Sequence, residues 1–122
     1  KKGMPYFIGC SPELEQLIES EQIHKGITAT AGGFYGPQGR VLRLGIQDSA
    51  LNSKMDSFSF EGHRITNLEM ETSAIYGLGK LLGHHCLSMN AIIANRANGT
   101  FSQDPYKAVD ELILYTLNKL AQ

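Results

Sequence analysis

Nine consecutive residues, Gly32-Gly33-Phe34-Tyr35-Gly36-Pro37-Gln38-Gly39-Arg40, hold four glycines and a proline. Glycine is entropically costly in regular structure and proline removes a ladder donor, so neither a helix interior nor a regular strand can run through this segment. It is a loop, and it divides the chain. On its N-terminal side residues 26–31, Gly-Ile-Thr-Ala-Thr-Ala, are small and β-branched and predict a central strand. On its C-terminal side residues 41–46 predict resumed extended structure, and the polar stretch 48–62 has room for a short helix over 51–58.

Residues 5–9 read as a short buried strand. Ser11-Pro12-Glu13-Leu14-Glu15 then opens a helix, with serine as N-cap, proline at the first helical position and acids in the first turn. Leu14, Leu17 and Ile18 recur at helical spacing, and the helix is expected to end over 21–23. A second helix spans 72–82, with Ala74, Leu78, Leu81 and Leu82 on one face and Gly83 as its stop; Gly77 and Gly79 within it suggest close packing. The apolar run 86–94 predicts a strand covered on both faces, followed by a loop over 95–103. Asp104-Pro105 caps the last helix, whose apolar stripe is Tyr106, Val109, Ile113, Leu117 and Leu120. Strands alternating with helices give an α/β class with a covered, mixed or parallel sheet. No repeat, low-complexity tract or linker divides the 122 residues, which read as a single domain.

Eleven Lys+Arg against twelve Asp+Glu leave a net charge of −1, which excludes attachment to nucleic acid or an anionic membrane through overall charge. No apolar run is long enough for a transmembrane helix, and the first residues lack a secretory signal, so a cytoplasmic protein is expected. Cys10 and Cys86 have no zinc-like spacing and read as reduced, partly buried thiols. His84-His85 suits a helix C-terminus better than a metal, because adjacent helical side chains diverge.

Three segments can carry chemistry. The glycine-rich loop lacks the spacing of either common phosphate cradle, but Phe34 and Tyr35 offer flat faces to a ring. Gln38-x-Arg40 places an amide and a guanidinium two residues apart, on one side of an extended segment. An amide has the donor and acceptor that match the carbonyl/N–H edge of an imide such as uracil, and a guanidinium suits a carbonyl that gains negative charge. Glu69-Met70-Glu71 would put two carboxylates on one strand face, either as a solvated strand end or as a ligand for a sugar diol at the carboxyl end of a strand. A glycosidase pair is a poor fit, since its carboxyl groups must flank the sugar at least about 5 Å apart. Ile93-Ala94-Asn95-Arg96 ends the apolar run with another donor-rich group.

In this order and spacing the segments resemble the nucleoside phosphorylase family, most closely its uridine phosphorylase branch. The matching pieces are Gly26-Ile27-Thr28-Ala29-Thr30 with Phe34-Tyr35-Gly36-Pro37-Gln38-Gly39-Arg40, then Asn67-Leu68-Glu69-Met70-Glu71, then Ile93-Ala94-Asn95-Arg96. The resemblance implies a three-layer α/β/α fold with a mixed central sheet, incomplete here, of which this chain is the C-terminal, base- and ribose-binding part. It implies that Gln38 and Arg40 read uracil and stabilise it as leaving group, that Phe34 lines the nucleoside pocket and that Arg96 sits near the base. Glu69, Met70 and Glu71 would handle the ribose, with Glu71 on the hydroxyls and Met70 packed against the sugar. Purine-specific relatives carry an aspartate near the position of Asn95, and its absence favours a pyrimidine.

The implied reaction is uridine plus phosphate giving uracil and ribose 1-phosphate, with phosphate as co-substrate and no metal or organic cofactor. The family's glycine-proline-arginine phosphate loop has no counterpart here, so no phosphate residue is identified. A nucleosidase or a non-catalytic nucleoside-binding module are the alternatives. A homo-oligomer is expected, with neither nucleic acid nor membrane as partner.

Overall fold

The computed structural model describes residues 4–122. Helix α1 covers Pro12–Ile18 and is capped as its sequence dictates, the Ser11 hydroxyl accepting the Leu14 N–H. It stops after Ile18, earlier than the spacing predicts, because Ser20 docks elsewhere: its Oγ lies 2.7 Å from the Tyr115 hydroxyl and accepts the Gln22 N–H. Residues 5–9 form no strand; the Phe7 ring instead stacks on Phe58 and Phe60, with centroids 6.0 and 4.9 Å away.

Strand β1, Ile27–Thr30, runs parallel to β3, His63–Glu69, and the register sets Thr30 opposite Glu69. Between them lie helix α2, Leu51–Ser57, and the short strand β2, Ser59–Phe60, which pairs antiparallel with β3. The β2–β3 turn has Glu61 and Gly62 both at positive φ, the requirement of a two-residue type I′ hairpin. The sheet is therefore mixed, three strands in the order β1-β3-β2, within a mixed α/β architecture. Residues 41–46 build no strand and leave Val41, Leu42 and Leu44 exposed.

Helix α3 spans Thr72–Leu82 and ends at Gly83, whose φ of +75° closes the last turn. Gly79 is buried against Cys86: a Cβ there would lie 2.3 Å from the Cys86 Sγ, so the close packing expected of this glycine is real. The apolar run after α3 is not a strand. The Cys86 carbonyl accepts the Ser11 N–H at 2.9 Å and the Ser88 N–H donates to the Tyr76 hydroxyl at 2.7 Å, and only at the end of the run does the Ile93 carbonyl accept the Ser102 N–H, at 2.7 Å. A two-residue ladder, β4 Ala94–Asn95 with β5 Thr100–Phe101, begins at the last residue of that run and lies otherwise inside the expected loop. Asn95 and Asn98 shape its turn by accepting the N–H groups of Ala97 and Thr100.

Helix α4, Pro105–Leu120, is capped by Asp104 through the Lys107 N–H. It meets α1 through Tyr115, whose hydroxyl donates to the Ile18 carbonyl at 2.5 Å. The face turned to the body carries Ala108, Leu112, Tyr115 and Thr116, not the strongest apolar stripe. Tyr106, Val109, Ile113, Leu117 and Leu120 stay exposed, Tyr106 at 84%. Ile18 is the one hydrophobic side chain fully buried among the described residues. No helix among them is long and apolar enough to cross a membrane.

Candidate functional site

The glycine-rich loop folds back on itself. A single 3₁₀ turn over Gly36–Gln38 replaces the extended segment expected there, and Gly39 at φ +75° returns the chain. Two features favour glycine at position 39. The positive φ penalises a Cβ, and a Cβ would lie 2.0 Å from Asn52 Oδ1, whose amide donates to the Gly39 carbonyl at 3.2 Å. The Tyr35 carbonyl accepts the N–H groups of both Gln38 and Arg40, at 3.0 and 2.9 Å.

This turn drives the Gln38 side chain inward until it is only 2% exposed. Its carboxamide oxygen accepts from Arg40 Nη1 at 2.9 Å and from Arg96 Nη2 at 3.0 Å. Arg96, in the turn after β4, also donates through Nη1 to the Gln38 backbone carbonyl at 2.6 Å. Arg40 further donates to the Phe34 carbonyl and lies 3.6 Å over the centroid of the Phe34 ring. Phe34 meets Tyr35 edge-on at 5.2 Å, so one of its faces is occupied by the guanidinium and its edge by a neighbour. Burial and then the nearby Arg40 charge pull the Arg96 pKa below the ordinary guanidinium value.

The acidic segment lies next to this cluster. Gln38 Nε2 reaches toward the Glu69 carbonyl at 3.5 Å, and the same carbonyl accepts the Ala31 N–H at 2.9 Å. Strand β3 ends at Glu69, so Glu69 and Glu71 do not share a strand face as the spacing suggested. Glu69 Oε1 accepts the Thr30 hydroxyl at 2.5 Å, and Oε2 accepts the N–H groups of Glu71 and Thr72, each at 2.7 Å. Burial raises the Glu69 pKa, but the hydrogen bonds from Thr30, Glu71 and Thr72 outweigh it and hold the carboxyl below its ordinary value. Glu71 is the N-cap residue of α3 and is exposed, as is Met70.

Phe34, Gln38, Arg40 and Arg96 thus gather into one cluster, and Glu69, Met70 and Glu71 form a second group joined to it through a single carbonyl. Arg40 also borders an open cleft of about 1460 Å³, lined with it by Tyr35, Val41, Leu42 and Leu44. Sequence reasoning missed Thr30 and Asn52. Thr30 matters because it stands opposite Glu69, and that register is invisible in a single strand read alone. Cys10 and Cys86 are free thiols, and among the described residues no three or more His, Cys, Asp or Glu side chains gather around a possible metal position.

The cationic, amide-bearing loop thus lies beside the acidic end of β3, and the carboxyl ends of strands are where open α/β sheets bind ligands. The family model of the phosphorylase superfamily matches residues 2–120, and the chain belongs to that superfamily. Neither the curated proteins nor the solved structures give a match. Membership brings with it nucleoside phosphorolysis in general, a glycosyl transfer with a nucleoside and phosphate as substrates.

Proposed function

We propose that this chain serves the phosphorolysis of a pyrimidine nucleoside, uridine and phosphate giving uracil and ribose 1-phosphate, and that it supplies the base and ribose side of the site within a three-layer α/β/α domain. One observation carries the reading: a buried amide bridged to two guanidinium groups lies one carbonyl away from an acidic strand end. As the glycosidic bond breaks, negative charge builds on the departing uracil and positive charge on the ribose. In this reading Arg40 and Gln38 stabilise the first, with Arg96 beside the base, and Glu71 orients the sugar.

Both lone pairs of the Gln38 carboxamide oxygen are engaged by guanidinium donors. A uracil carbonyl that draws Arg40 away frees one of them for the imide N–H, so base recognition is an exchange of partners. The Phe34 ring, released from Arg40, then offers its face to the base. Phosphate is the co-substrate, and the chemistry calls for no metal or organic cofactor. Assembly into a homo-oligomer completes the proposal.

Calorimetric titration with uridine and with inosine, together with base release measured with and without phosphate, tests it. Uridine preferred over inosine, with release only when phosphate is present, is the expected result. Uridine cleavage without phosphate points to a nucleosidase, and uridine binding without turnover to a binding module. Equal binding of inosine removes the pyrimidine reading.

A further inference from the structure

Thr30 stands where β1, β3 and the start of α3 meet, and no site role has yet fallen to it. Its hydroxyl donates to Glu69 Oε1 at 2.5 Å and accepts the Ser73 N–H at 3.0 Å. Glu69 Oε2 takes the N–H groups of Glu71 and Thr72. Three successive amides at the mouth of α3 are therefore held by one threonine and one carboxylate, while the N-cap residue Glu71 makes no capping bond with its own side chain. The usual arrangement, in which the N-cap side chain satisfies those donors, is replaced by one that leaves the Glu71 carboxylate outside the helix, where its Oε2 accepts the Met70 N–H at 3.2 Å.

A carboxylate that grips two vicinal hydroxyls must present both oxygens in one plane and at one height, and this depends on the backbone that carries it. We propose that Thr30 is a positioning residue for sugar recognition: through Glu69 it fixes the peptides of residues 71–73 and so sets the direction in which Glu71 faces a ribose diol. The proposal rests on the reading of Glu71 as the sugar-binding carboxylate. It separates the two acids of this segment, Glu71 acting on the sugar and Glu69 acting through the main chain.

The test compares the unmodified chain with Thr30→Val, which keeps the shape and removes the hydroxyl, and with Thr30→Ser, which keeps the hydroxyl. Each is titrated with uridine and with uracil alone, and its folding is checked by circular dichroism. Thr30→Val is expected to weaken uridine binding about tenfold while leaving uracil within about twofold, and Thr30→Ser to stay near the unmodified chain. Should Thr30→Val not fold, Glu69→Gln is expected to give the same selective loss. Unchanged uridine affinity in the folded valine variant, or a parallel loss for uracil, overturns the positioning role. An unmodified chain that binds uridine no better than uracil, or binds neither, overturns the sugar-site reading and this role with it.

Discussion

Replacing Gln38 with methionine isolates what its amide does, because methionine has nearly the same length and no strong hydrogen-bonding group. The change deletes the 2.9 and 3.0 Å bonds from Arg40 and Arg96 and the long 3.5 Å contact to the Glu69 carbonyl. Hydrogen bonds to charged groups are worth about 1.5–3 kcal/mol each, but both guanidinium groups reach solvent and recover part of this, so the net loss is about 2–3 kcal/mol. With a urea m-value of about 1.5 kcal/mol/M, the unfolding midpoint should fall by roughly 1.3–2 M. The chain has no tryptophan, so far-ultraviolet circular dichroism is the signal to follow. A cycle with Arg96→Met should show a coupling of about 1 kcal/mol, smaller than the single losses because Arg96 keeps its bond to the Gln38 backbone carbonyl. A midpoint shift under about 0.3 M, or strictly additive single losses, refutes the idea that this amide ties the loop to the β4–β5 turn.

Gly39→Ala should cost about 2–4 kcal/mol, through its left-handed φ and the displaced Asn52 amide, whereas Gly36→Ala, with open space around it, should cost under about 1; thermal melts of the two variants compare them. Because Glu69 is held below the ordinary carboxylate pKa, the folded state binds fewer protons than the unfolded chain between the two values. Stability from this group is complete above the ordinary carboxylate range and is lost as pH falls through the folded pKa; acid titration of the unfolding midpoint should show that slope, and Thr30→Val should flatten it. The Cys10 thiol is raised by burial and then by the Glu15 charge, so its alkylation by iodoacetamide near pH 8 should be slower than that of a free cysteine, and Glu15→Gln should speed it.

Legibility followed how local each signal is. The Ser11 and Asp104 caps, the Gly83 stop and the body of α3 all appear where the sequence puts them, because each depends on residues within one turn. Glycine and proline alone mark the segment around Gln38 as a loop but not its 3₁₀ turn, and Gln38 and Arg40 meet by folding rather than by extension. Residues 86–93 carry a strand's composition but make only isolated backbone bonds, at Cys86 and Ile93, and composition cannot report whether a continuous partner strand exists. The apolar stripe of α4 is legible in the sequence, yet it lies exposed. The body-facing side of the helix is instead set by Tyr115, whose hydroxyl reaches Ile18 and Ser20, a contact nearly the whole chain away in sequence. Of the site, residue types were readable and the division of labour was not: only the β1–β3 register reveals that Glu69 turns inward to Thr30 while Glu71 remains outside.

The carbonyl of Glu69 has a consequence for the shape of the substrate. It lies 3.5 Å from the Gln38 amide nitrogen, and on the other edge of the same planar peptide the Met70 N–H donates to Glu71 Oε2 at 3.2 Å. Under the proposed reading the base is measured from one edge of that plane and the sugar from the other. The peptide then works as a fixed gauge for the span of a single glycosidic bond, so a ligand with one extra atom between ring and sugar can satisfy either end but not both.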